Sequence, residues 1–94
     1  MSTPDDLTID YEENGILTTK QLDKVILSKG AWTTILFRYQ SWVSASESYS
    51  EDKYTIRRYQ KRNGEYTPRS KFNITNAKQA KMIIATLQDW TDEK

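Results

Sequence analysis

The sequence predicts an α+β domain, an antiparallel sheet of four to six strands followed by one C-terminal amphipathic helix. Three observations predict it. Asn-Gly pairs at Asn14-Gly15 and Asn63-Gly64 each separate two runs of strand-like residues, the strongest short-range hairpin signal. Ala31 to Val43 is a long segment rich in Thr, Ile, Phe, Tyr and Trp, which suits a central strand. The helical period is convincing only from about Ala77 to Trp90, with Thr75 or Asn76 as N-cap and Gln79 placed for a capping box.

The elements follow in order. Residues 1–6 are polar, carry Pro4 and two aspartates, and read as a frayed tail, so the single domain is expected over 7–94. Leu7 to Tyr11 alternates apolar with polar, and Ile16 to Thr19 returns after the first Asn-Gly turn. Lys24 to Leu27 is a further short apolar run, closed by Ser28-Lys29-Gly30. On the long strand the period of two puts Ala31, Thr33, Ile35, Phe37, Tyr39 and Val43 on one face and Trp32, Thr34, Leu36, Arg38, Gln40 and Trp42 on the other. Two mixed faces suggest that one packs on the helix while the other meets a partner or ligand.

Ser44 to Asp52 lacks a hydrophobic period and reads as a flexible loop. Lys53 to Lys61 and Glu65 to Ile74 form the second hairpin, in which Pro68 marks an edge or a bulge. Simple alternation gathers Tyr66, Phe72 and Ile74 on one side and Thr67, Arg69, Lys71 and Asn73 on the other. Thr34 to Gln40 and Tyr54 to Gln60 both end Arg-Tyr-Gln, which predicts two similar strands lying near each other in the sheet. The helix stripe of Ala80, Ile83, Ile84, Leu87 and Trp90 is expected to pack against the sheet as core.

Composition narrows the function. The chain of 94 residues has no Cys and no His, which removes thiolate chemistry, the commonest general base and the commonest metal ligand. The carboxylates lie in turns and loops without partners at catalytic spacing, and the glycines are isolated, so no enzyme, no cofactor and no metal is expected. The opening is polar and no apolar run approaches the roughly 20 residues that span a bilayer, so the expected setting is the cytoplasm with no membrane contact. Asn73-Ile74-Thr75 matches a glycosylation sequon, read as coincidence in that setting.

Charge is sorted by position. Lys53 to Lys81 carries nine Lys or Arg against one acid, Glu65, while the flanking segments are net acidic. Cations interleaved with Tyr54, Tyr59, Tyr66 and Phe72 suit a single-stranded polyanion whose phosphates need counterions and whose bases offer flat faces. The candidate nucleic-acid contacts are Arg57, Lys61, Arg62, Arg69 and Lys71 for phosphates, and Tyr59 with one or both of Trp32 and Trp42 for bases. Binding of single-stranded DNA or RNA by a homodimer, without strong sequence preference, is the expectation, and no small-molecule substrate is implied. The alternative is a protein-interaction module that presents a sheet face or strand edge.

The run from Thr55 to Leu87 adds a resemblance. Ile56-Arg57-Arg58-Tyr59, a turn ending Gly64-Glu65, Pro68 with Lys71, a short strand and an amphipathic helix resemble the core of the transcriptional coactivator called positive cofactor four and its bacterial relatives. Ser28-Lys29-Gly30 leading into Ile35 to Tyr39 is similar to that family's preceding turn and strand. The resemblance covers about a third of the chain. It implies a four-stranded antiparallel sheet and one helix, dimerisation through helices, and single-stranded DNA held against the strands by Arg57, Tyr59 and Lys71. The chain departs from the pattern at Gln60, where a tryptophan often follows the tyrosine, at Arg69, where the family has glycine, and in the longer loop from Ser44 to Asp52.

Overall fold

The structure is a computed structural model and describes residues 3–92. It is α+β: β1 (Tyr11–Glu13), β2 (Ile16–Ser28), β3 (Trp32–Val43), β4 (Ser48–Tyr49), β5 (Lys53–Arg62) and β6 (Glu65–Ile74) form one sheet, and α1 (Ala77–Thr91) follows. Neighbouring strands run in the order β1-β2-β3-β5-β6, with β4 paired to the end of β3, and every pairing is antiparallel.

Both Asn-Gly pairs make the tight turns they predict. Asn14 and Gly15 have φ of 51° and 80°, and Asn63 and Gly64 have 53° and 80°, the paired left-handed conformations that match hairpin twist. The two Arg-Tyr-Gln segments do lie side by side, with Thr33 opposite Tyr59 and Tyr39 opposite Lys53. Ile16–Thr19 and Lys24–Leu27 are parts of a single 13-residue strand, because two irregularities, at Leu22 and Leu27, absorb the breaks in alternation that made them look separate. The segment from Ser44 to Asp52 is not plain loop: it turns through Ser46 and Glu47 and returns as β4.

The core cluster lies on one face, and Ile74 alone of the buried apolar residues lies on the other. Ile35, Phe37, Thr33 and Thr55 are fully buried on the face here termed inner, joined by Tyr59 and by Ile9. What covers them is the N-terminal segment. Residues Pro4–Asp6 form a single 3-10 turn instead of a frayed end, and the Lys24 ammonium donates to the carbonyls of Pro4, Asp5 and Leu7 at 3.0, 2.7 and 2.7 Å. Gln21 continues the clasp, accepting from the Ile9 amide at 3.2 Å and donating its own amide to Asp10 at 2.7 Å. Met1 and Ser2 lie outside the described residues.

The helix does not take the place its stripe predicts. Asn76 caps it as expected, accepting from the Gln79 amide at 2.7 Å, while the Gln79 side chain reaches back to the Thr75 amide and not to Asn76. No residue of α1 is buried, and Ile84 and Trp90 are each 63% exposed. The helix stands off the outer face of the sheet, leaving a cleft of roughly 530 Å³ between Ile83, Ile84 and Leu87 on one wall and Leu36, Ile56 and Ile74 on the other. The physical reason is that Leu7 and Ile9 already fill the inner face, so α1 is left with a second apolar surface and too little of its own to close over it. The radius of gyration, 15.3 Å, accordingly exceeds the roughly 12 Å of a compact chain this long.

Candidate nucleic-acid interface

The basic residues of β5 and β6 are arranged by one irregularity. Register between the two strands slips where Arg58 and Tyr59 face Ser70 and Pro68, so Arg69 is the extra residue of a β-bulge. Pro68, which lacks a backbone donor, is the reason the ladder breaks there. The bulge reverses the facing of everything before it. Tyr66 lies opposite Lys61 and packs against the inner core, away from Phe72 and Ile74. Arg69 does not share the inner face with Lys71 as simple alternation predicts: as the bulge residue at the strand edge its Nε donates to Gln60 Oε1 on the outer face at 3.0 Å, while it still borders the same edge hollow as Lys71.

The bulge also creates an indentation of roughly 330 Å³ at the sheet edge, lined by Arg57, Pro68, Arg69, Ser70 and Lys71. Arg57 sits opposite Ile35 on one side and Lys71 on the other. Its Nε is buried without a hydrogen-bond partner, an unpaired donor on a permanently charged group. Among the described residues the ion pair is between Arg38 and Asp52, at 3.8 Å, and none of the three cations of the indentation has a carboxylate against it. Lys61 extends over the Tyr66 ring at 5.8 Å from its centroid, and Arg62 lies exposed beside the turn.

The three expected base-stacking rings are not brought together. Tyr59 is 5% exposed and is part of the core, so neither side of its ring is free for a base. Burial raises its phenol above the ordinary value, and the nearby Arg57 charge offsets only part of that. Trp42 meets Tyr49 edge to face at 5.2 Å, and Lys20 covers Tyr49 at 4.9 Å, making a small cluster that holds β4 down. Trp32 is ten residues away along the same strand, roughly 33 Å. Trp32 remains 42% exposed, and the Arg58 guanidinium lies 4.6 Å from its ring centroid. Sequence alternation could not reveal that Arg58 and Trp32 stack, since the two are brought together diagonally across β3 and β5.

No group of three or more carboxylates that could hold a metal ion is present among the described residues. No helix among them is long and apolar enough to cross a membrane. No family model, curated protein or solved structure matches the chain.

Proposed function

We propose that the chain binds single-stranded nucleic acid through the basic edge of β5 and β6 and does so as a homodimer. The observation that carries the reading is the indentation at the bulge: Arg57, Arg69 and Lys71 converge on one hollow with no carboxylate against them, and a buried Arg57 donor has nothing to satisfy it. Phosphate oxygens supply the missing negative charge, and the exposed Arg69 and Lys71 can reach them. Lys61 and Arg62 extend the same basic tract toward the turn. An antiparallel sheet followed by one terminal helix is the arrangement that the resemblance to the positive cofactor four family implies, although the sheet has six strands where the resemblance implies four.

The exposed apolar surface favours a protein partner as well, and a second copy of this chain fits it best. Val25, Leu27, Phe72, Met82, Ile84, Leu87 and Trp90 are each more than half exposed, more than a monomer commonly leaves in water. Along α1, Lys78 and Lys81 occupy the first half and Asp89 and Asp92 the end. Two such helices laid antiparallel place each lysine pair against the other copy's aspartates, the self-complementarity a twofold interface requires. The pairing closes both clefts and leaves the bulge of each protomer at the rim.

The test is titration of a fluorescent oligo-dT at several salt concentrations. Binding is expected at low salt, with log affinity falling against log salt at about −0.7 per phosphate contacted. Absence of binding to any single strand at low salt overturns the reading and leaves the apolar face as a protein-interaction surface.

A further inference from the structure

On the outer face, at the end of the sheet where β3 begins and β5 ends, four side chains form a second constellation. Trp32 lies opposite Gln60, Arg58 covers part of the indole, and Arg69 reaches across from the bulge to hold Gln60. The hydrogen bond fixes the amide: Arg69 Nε is a donor, so the oxygen of Gln60 faces it and the amide NH₂ is turned the other way, with no hydrogen bond of its own. Trp32 and Arg58 line no part of the cleft beneath α1, so a second copy seated there leaves them free.

We infer that this cluster is a single-nucleobase site, in which a base stacks on Trp32 and presents a hydrogen-bond acceptor to the Gln60 amide. The inference rests on the single-strand-binding reading and deepens it, because it names the moiety read and the residue that reads it. Arg69 belongs to both places: it lines the hollow with Arg57 and Lys71, and it orients Gln60. A strand whose phosphates occupy the hollow therefore crosses the edge of β6 at the bulge and delivers an adjoining base to the outer face. From β6 to β3 is two strand spacings, roughly 10 Å, within reach of a neighbouring nucleotide. The free amide NH₂ donates to an acceptor on the base, a carbonyl oxygen of thymine, uracil, guanine or cytosine or a ring nitrogen of adenine, so the site holds a base without choosing strongly among them.

Oligo-dT and oligo-dA of equal length, titrated into the wild-type protein, Trp32→Ala, Trp32→Phe and Gln60→Leu, test the site. Trp32→Ala is expected to weaken oligo-dT binding roughly 5- to 100-fold with an unchanged salt slope, because stacking releases few counterions. Trp32→Phe keeps a stacking ring, so it should retain most of the affinity while losing the quenching of indole emission that oligo-dT produces in the wild type. Gln60→Leu should weaken oligo-dT and oligo-dA alike, roughly fivefold each, the worth of one hydrogen bond. If the wild type binds and all three variants bind both oligonucleotides as it does, the base site is wrong and the phosphate-binding reading stands. If the wild type binds neither oligonucleotide, both fall.

Discussion

The Lys24 ammonium and the Leu7 carbonyl lie 2.7 Å apart across the inner face of the sheet, and this contact ties the start of the chain to its core. Together with the bonds to Pro4 and Asp5 it gives the ammonium three carbonyl acceptors, satisfying all of its donors. Lys24→Met removes them and leaves the carbonyls to solvent. The expected loss is about 2 kcal/mol in urea denaturation, within the range for hydrogen bonds to a charged group. Hydrogen exchange at the Ile9 amide should quicken as well; unchanged stability and exchange would show that Lys24 does not hold the strap.

Phosphate binding at the bulge makes a graded prediction. Lys71→Ala and Arg57→Ala should each weaken oligo-dT binding and reduce the magnitude of the salt slope by about 0.7. Lys29→Ala, in the turn before β3 and outside the hollow, should leave the slope nearly unchanged. Equal effects from all three would mean that diffuse charge, and not the hollow, holds the strand.

Tyr59 should behave as a core residue. Tyr59→Ala is expected to cost about 3–5 kcal/mol of stability, the range for emptying a buried aromatic site. Its phenol also makes stability depend on pH. Burial raises its folded-state pKa above the unfolded value of about 10, so its contribution is complete below pH 10 and is lost as pH rises from there toward the folded value. The stability difference between wild type and Tyr59→Phe, followed by urea denaturation from pH 8 to pH 11, should therefore shift toward Tyr59→Phe at the alkaline end. A flat difference would contradict burial of the phenol.

Because Ile84 and Leu87 are exposed in the protomer, a charge placed there need not disturb folding. Ile84→Asp and Leu87→Glu should give folded monomers, seen as a halved mass in light scattering with an unchanged circular dichroism spectrum. Long oligonucleotides should then lose their affinity advantage over short ones, since two linked sites become one. A wild type that is monomeric at micromolar concentration would exclude the twofold pairing.

The fold class was legible because its signals are local. Asn14-Gly15 and Asn63-Gly64 define hairpins through the backbone those residues tolerate, and Asn76 marks the helix start with its own side chain. The core was less legible, since a stripe such as Ile83, Ile84 and Leu87 reports that a face is apolar and not what covers it. Leu7 and Ile9 are only two apolar residues in an acidic segment, yet they take the inner face, while the longer stripe remains open. In the site, Arg57 and Tyr59 are two residues apart and share a face, opposite Ile35 and Thr33; burial separates their roles. Across the bulge alternation fails, because the extra residue Arg69 puts Tyr66 on the face opposite Phe72 and Ile74.

The bulge in β6 also governs how the molecule can grow. β6 is the outermost strand, and an outermost strand with an open ladder invites another chain to add on without limit. Pro68 offers no N–H to an incoming strand, the bulge bends the ladder away, and Arg69 and Lys71 place like charges where a second such edge would have to lie. Edge-to-edge polymerisation is thus opposed by the same few residues that are suited to phosphates. In the proposed twofold pairing association falls to the helix face, which a single partner can saturate, so that pairing predicts a closed pair and not a fibre.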